Sequence, residues 1–193
     1  MVEKRNGSLR LCLDPKELNK AIKREHYKPP TAETLSSKLN GKRVFTVIDM
    51  SNCYWHKTLE EESSHLGTFN TPFGRYRFLR MPFEVSVAVD VAQKMVDDNF
   101  SDIPGVSDVH DDIIVAGRDK AEQDKALKQV LIRAREHGIK FNREKTQPRV
   151  CQVNYLGNIV AAEGFKPNPK KIEAIRKCRN RKQNKTFKDY LAW

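Results

Sequence analysis

The sequence predicts an α+β fold built around an antiparallel sheet, and three observations carry that expectation. Strand-like and helix-like segments are interleaved without a strict strand–helix–strand rhythm, which argues against a parallel sheet. Val44-Phe-Thr-Val-Ile48 is a β-branched run of strand length that ends on Asp49. Residues 106–117, VSDVHDDIIVAG, read as a hairpin whose second half, Ile113-Ile-Val115, is apolar enough to be a buried strand.

The remaining elements follow in chain order. Leu9-Arg-Leu-Cys-Leu13 alternates like a strand after an Asn6-Gly7 turn. Pro29-Pro30-Thr31 opens a short helix with Thr31 as N-cap and Gly41 as its stop. Over residues 86–98 the apolar positions 88, 91, 92, 95 and 96 have helical spacing. A longer helix spans Asp119 to His137: Leu127, Val130, Leu131 and Ala134 form one stripe, Glu122 completes a capping box with Asp119, and Gly138 is the C-cap. Residues 153–165 suggest a further strand pair, and no internal repeat is present.

At 193 residues and 38% hydrophobic, the chain suits one domain, or one plus an appendage, with a real core. No apolar run approaches the roughly 20 residues of a membrane helix. The residues after Met1 are charged rather than those of a secretory leader, so the expectation is a soluble intracellular protein, cytoplasmic or nuclear. Cys12, Cys53, Cys151 and Cys178 have neither metal-site nor disulfide-framework spacing and read as free thiols. The net charge of +11 points to polyanionic partners. Most of it lies in residues 166–188, where ten Lys/Arg face one acid, Glu173. Such a run is usually just a solvated face, so by itself it supports a nucleic-acid partner only weakly.

Asp108 to Asp112 raises a sharper question, because adjacent carboxylates running into buried sequence are costly unless paired. Asp49 ends one strand-like run and Asp111-Asp112 precede another, so the three converge if the two strands are neighbours. Oxygen-only ligands suit Mg²⁺ or Mn²⁺, and a carboxylate-held metal pair supports in-line phosphoryl transfer. The other reading is a polar hairpin tip with solvated aspartates, and the residues alone leave both open. A His110-Asp111 phosphohydrolase dyad would need further ligands on helices; His26, His56, His65 and His137 lack that spacing.

Five motifs occur in order: GSLRLCLDPKELNKAIKREHY, VFTVIDMSNCYWHKTLEEESSHLGTFNTPFGRYRFLRMPF, HDDIIVAG, GIKFNREKTQ and YLGNIVAAEGFKPNPKKIEAI. Together they resemble the reverse transcriptase of gypsy-type LTR retrotransposons from about Val2 to the end of the chain, with TFNTPFGRYRFLRMPF the most specific stretch. The resemblance implies the fingers and palm of a right-hand polymerase that copies an RNA or DNA template from a DNA or RNA primer, using deoxynucleoside triphosphates and Mg²⁺ or Mn²⁺. It places the fingers at about 1–43 and 67–85, the palm at about 44–66 and 86–165, and a basic segment leading into a truncated thumb at 166–193. Asp49, Asp111 and Asp112 fall on the metal-binding aspartates. Lys145 matches a lysine that protonates the leaving pyrophosphate. Lys4 or Arg5, with Arg10, match the cations that hold the triphosphate. Tyr54 matches the aromatic gate against the ribose 2′-hydroxyl, and Phe83 the floor near the incoming nucleotide. Glu84, Val109 and His110 fall beside primer and template, and Tyr155, Leu156 and Gly157 on the primer-grip hairpin.

Several departures stand out. Met81-Pro-Phe-Glu84 replaces Leu-Pro-Phe-Gly, and Val87-Ala-Val-Asp-Val-Ala92 replaces a segment with Pro and Phe. Val109 stands where Tyr is usual and Cys53 where Gly is usual. The resemblance therefore implies a piece of a Pol polyprotein whose full form carries RNase H and integrase domains. Two functions remain in view: an RNA-directed DNA polymerase domain, or a non-catalytic nucleic-acid-binding remnant of the same fold.

Overall fold

The computed structural model describes residues 2–3, 7, 9–10, 13–24, 27–28, 30–109, 112–155, 158–169 and 172–177. Strand β1 (Val2–Glu3) pairs antiparallel with β2 (Leu9–Arg10). The expected Leu9–Leu13 strand is thus described only at its first two residues: Leu11 and Cys12 lie outside the described residues, and Leu13 belongs to no regular element. Helices α1 (Lys16–Ala21) and α2 (Ala32–Leu39) follow. Thr31 caps α2 as expected, its Oγ1 accepting from the Thr34 amide at 3.2 Å. Next come β3 (Val44–Met50), a 3-10 turn at Cys53–His56, α3 (Glu61–Leu66) and the hairpin β4 (Thr68–Thr71)–β5 (Gly74–Arg77). Helix α4 (Ala88–Phe100) leads into β6 (Val106–Val109), β7 (Asp112–Gly117) and α5 (Lys120–Glu136). The described chain then runs through β8 (Phe141–Val150), β9 (Gln152–Tyr155), β10 (Asn158–Ala161) and β11 (Gly164–Pro167) to a helical stretch at 172–177.

Four strands form the central sheet in the order β6-β7-β3-β8, antiparallel throughout. Strand residues alternate between faces, and both faces of β3 and β7 are covered. Ile48, Met50, Ile113 and Val115 pack with Ala92, Val96 and Phe100 of α4 and with Ala126, Val130 and Ala134 of α5. On the other face Phe45, Val47, Ile114 and Ala116 pack with Leu35 and Leu39 of α2 and with Val153 and Val160 of the β9–β10 hairpin. Double burial is why these two strands read as continuous apolar runs rather than as an alternation. Strand β8 takes the open edge, where Pro148, which has no amide hydrogen to donate, is tolerated.

Helix α5 refines the sequence reading. Its buried stripe is Gln123, Ala126, Val130 and Ala134, while Leu131 is 49% exposed. Gln123 escapes an apolar filter because it is polar; its Nε2 donates to the buried Thr46 Oγ1 at 2.8 Å. Asp119 Oδ1 accepts from the Glu122 amide at 2.8 Å, but Glu122 Oε2 reaches back to the Arg118 amide rather than to that of Asp119. The C-cap is His137, and Gly138 follows it with φ +66°. Neither Cys53 (buried) nor Cys151 (exposed) is in a disulfide, as expected, and Cys12 and Cys178 lie outside the described residues. Among the described residues no helix is long and apolar enough to cross a membrane.

Gly105 locks β6 to β7. Its φ is +80°, and a Cβ there would sit 2.3 Å from the Ala116 carbonyl oxygen. Gly105→Ala combines left-handed strain with a backbone clash. We expect it to lower the unfolding free energy by about 2–4 kcal/mol in urea denaturation.

Candidate functional site

The β3–β7 register ends by placing Asp49 opposite Asp112. Directly opposed residues of an antiparallel pair project from the same face with Cβ atoms about 5 Å apart. By strand alternation that face is the one which, further along, buries Phe45 and Val47. Val109 is the other register partner of Asp112. His110 and Asp111, which connect β6 to β7, lie outside the described residues. Among the described residues no three His, Cys, Asp or Glu side chains form a metal-binding group. The donor chemistry does fit a hard divalent cation: Asp49 and Asp112 are carboxylates facing each other, and Asp111 adds a third within one residue.

Lys145 reaches the same point from β8. In the β3–β8 pairing, Asp49 and Val47 are partnered by Asn142 and Gln147, so a short step on β3 spans a longer one on β8. The surplus forms a bulge, a device that re-aims side chains. Asn142 shapes it: its Oδ1 accepts from the amides of Glu144 and Lys145, and its carbonyl accepts from Thr146 Oγ1 at 2.8 Å. From this bulge Lys145 Nζ donates to Asp49 Oδ2 at 2.9 Å. The start of β8 is tied to the 3-10 turn after β3. His56 Nε2 accepts from the Lys140 amide at 2.9 Å, and the Ser51 amide donates to the Lys140 carbonyl.

Asp49 and Lys145 line an open cavity of about 740 Å³ together with Tyr54, Phe83, Glu84 and Arg24. Tyr54 packs edge-on against Phe83 at 5.3 Å, and Trp55 lies 5.9 Å from the same ring. Glu84 has φ +75°, a left-handed backbone that favours glycine. Sequence reasoning did not single out the residues that hold this wall. Asn19 of α1 donates Nδ2 to the Glu84 carbonyl at 3.0 Å and accepts the Ser86 amide at 2.8 Å, clamping the turn from both sides. Arg24 Nε bonds Asp90 Oδ2 at 2.7 Å, and that hydrogen bond raises the Arg24 pKa above its ordinary value. Asn19 and Arg24 lie within the first of the ordered motifs, but their contacts could not be read from it, because their partners lie 65 to 67 residues away.

The structure thus brings together Asp49, Asp112 and Lys145, and sets Tyr54, Phe83 and Glu84 on the adjoining cavity. Lys4 and Arg5 lie outside the described residues, as do Leu156 and Gly157. Arg10, Val109 and Tyr155 are described only as strand backbone. Tyr155 pairs with Asn158 at the end of the β9–β10 hairpin, which packs on the sheet face shared by Asp49 and Asp112.

Residues 2–160 match the protein family described as "Reverse transcriptase (RNA-dependent DNA polymerase)". The chain is 35% identical over 191 residues to Uncharacterized protein K02A2.6 of Caenorhabditis elegans, covering 98% of this chain and 15% of that protein. It is 27% identical over 192 residues to the Transposon Tf2-7 polyprotein of Schizosaccharomyces pombe, covering 98% of this chain and 14% of the polyprotein. The chain therefore spans only about 15% of the length of these relatives. Among solved structures, the foamy viral protease-reverse transcriptase dRH in complex with double-stranded DNA superposes with a TM-score of 0.80 at 22% identity, over 91% of this chain and 31% of that one. The same viral protein with an RNA/DNA hybrid gives 0.72 at 21% identity, over 84% and 22%. At those identities the likeness establishes the fold.

The φ of Glu84 generates a prediction that needs no activity. Glu84→Gly relieves left-handed strain while keeping the carbonyl that Asn19 holds. It should raise the unfolding free energy by about 1 kcal/mol, measured by urea denaturation.

Proposed function

The chain belongs to the reverse transcriptase (RNA-dependent DNA polymerase) family, as a domain of the kind carried in retrotransposon Pol polyproteins, and from that premise we propose that the Asp49 cavity is a nucleotidyl-transfer site. It would extend a DNA or RNA primer along an RNA or DNA template from deoxynucleoside triphosphates. The supporting observation is the opposition of Asp49 and Asp112 at the end of the β3–β7 register, with Lys145 Nζ 2.9 Å from Asp49. Residues 1–43 and 67–85 serve as fingers and 44–66 and 86–165 as palm, with 166–193 a basic extension.

Asp49, Asp112 and Asp111 would hold Mg²⁺ or Mn²⁺. The metal, when bound, supplies activation of the attacking hydroxyl and charge stabilisation on the leaving pyrophosphate. Lys145 is the proton donor for that pyrophosphate, and its ammonium also offsets the carboxylate charge of Asp49. Tyr54, steadied by Phe83, presents a ring edge that crowds a ribose 2′-hydroxyl. Lys4 or Arg5, with Arg10, neutralise the triphosphate; a guanidinium suits bidentate phosphate contact. Tyr155, Leu156 and Gly157 steady the primer.

One observation favours the second reading, a non-catalytic nucleic-acid-binding domain. Glu84 adds a carboxylate to the cavity wall, at a backbone conformation suited to glycine. A fixed negative charge there repels anionic template and nucleotide. Primer extension by the purified chain with Mg²⁺ or Mn²⁺ separates the readings. We expect weak extension, raised about tenfold or more by Glu84→Gly with Val109→Tyr, and abolished by adding Asp111→Asn. Primer-template binding without extension in the repaired variant would favour the non-catalytic reading.

Binding itself has a separate signature. Residues 166–188 hold ten Lys/Arg against one acid. Deleting residues 166–193 should flatten the slope of log K against log salt, because fewer counterions are released on binding. An unchanged slope would place the binding charge elsewhere.

A further inference from the structure

The hairpin that presents Asp112 also carries an aspartate that nucleotidyl transfer does not use. Asp108 lies on β6, opposite Ile113, and is only 1% exposed. Helices α4 and α2 pack over that strand. From α4, Gln93 Nε2 donates to Asp108 Oδ2 at 2.6 Å and, more weakly, to Asp97 Oδ1 at 3.3 Å. One amide nitrogen of Gln93 thus holds an oxygen of each carboxyl group, which sets Asp97 and Asp108 side by side. Two carboxyl groups that share a buried site repel each other when both are ionised, which favours a proton on one of them. Tyr27, from the segment before α2, interacts with Asp97. Among the described residues, Asp98 of α4 acts on Tyr27 and Lys38 of α2 acts on Asp108.

We propose that Asp97 and Asp108 form a proton-sharing carboxyl pair that positions the β6–β7 hairpin, holding β6 against α4 while the proton is present and loosening it once both groups are ionised. Asp108 is a positioning residue and touches no substrate. It stands four positions before Asp112 on the same hairpin, so the order of its strand bears on where Asp112 sits. The inference does not depend on the reaction that the site runs.

The titration points the same way. Burial above all, then the bond and charge of Asp97, push the Asp108 pKa up to about 7, against the opposing pull of Gln93 and Lys38. The bond to Asp97, with burial, pushes the Tyr27 hydroxyl up to about 12, so Tyr27 stays a donor across neutral pH. An unfolded aspartate titrates near 3.9. Between about pH 4 and pH 7 the folded state therefore binds the extra proton, and stability falls as pH rises through that window.

The test uses the full chain as wild type, Asp108→Asn and Asp97→Asn. An amide at position 108 still accepts from Gln93 and donates to Asp97, but it cannot ionise. Thermal melts from pH 5 to pH 8 should show wild type losing about 5 °C relative to Asp108→Asn as pH rises. Parallel curves would overturn the proposal. Wild-type carboxyl NMR, which needs no variant, should give Asp108 a midpoint near 7; a midpoint near 4 would overturn it even if the variants fail to fold. Amide exchange reads the positioning itself. After correction for base catalysis, protection over 106–109 and 112–115 should drop between pH 5 and pH 8 in wild type and hold in Asp108→Asn. Equal protection at both pH values in wild type would sink the positioning claim.

Discussion

The pairing of β3 with β7 is the constraint on which the rest of the structure depends. Its register is set by apolar partners: Phe45 with Ala116, Val47 with Ile114 and Ile48 with Ile113. A slip by one residue would turn all of these to the wrong face of a doubly covered sheet, so the register is strongly specified. The same register forces Asp49 opposite Asp112. Like charges facing each other across a strand pair are destabilising. The fold accepts this at the last rung of the pairing, where Asp112 is exposed and the Lys145 ammonium bonds Asp49. Packing of the core thus holds in place an electrostatic arrangement that would not persist by itself.

The cavity wall shows a second arrangement of that kind. Glu84 occupies a left-handed backbone conformation, and strained residues persist only where their surroundings over-determine them. The Asn19 amide does this by engaging both the Glu84 carbonyl and the Ser86 amide. A glycine would meet the same backbone demand with less strain. The glutamate therefore costs stability while adding negative charge to the cavity that Asp49 also lines, which bears directly on whether the domain works as a polymerase.

Polar groups inside the core are few and mostly paired. Gln123 bonds Thr46 between α5 and the sheet, and Gln93 bonds Asp108 between α4 and β6. Ser107 Oγ and Gln123 Oε1 are the described buried side-chain atoms without a partner. Buried polar pairs fix how a helix seats on a sheet more sharply than apolar contact does, because a misplaced partner leaves a desolvated group behind. Asp108 adds protonation to that seating.

By itself the sequence determined the α+β class, the strand ending on Asp49, the hairpin at 106–117, the Thr31 and Asp119 caps and the family. Each of these rests on local pattern: β-branched runs, helical spacing, capping residues and ordered motifs. It also marked Asp49, Asp112 and Lys145 as candidates through motif resemblance, although it carried no distance between them. Only the tertiary structure decided that Asp49 and Asp112 are register partners, that a bulge in β8 aims Lys145 at Asp49, and that Gln123 rather than Leu131 lies on the buried stripe of α5. The Asn19 clamp and the Asp97–Asp108 pair were invisible for the same reason. The clamp joins residues more than sixty positions apart, and the carboxyl pair depends on burial that exists only once α4 is packed on the sheet. Local pattern reports what a segment prefers, whereas the charge state and reach of a side chain depend on what is folded against it.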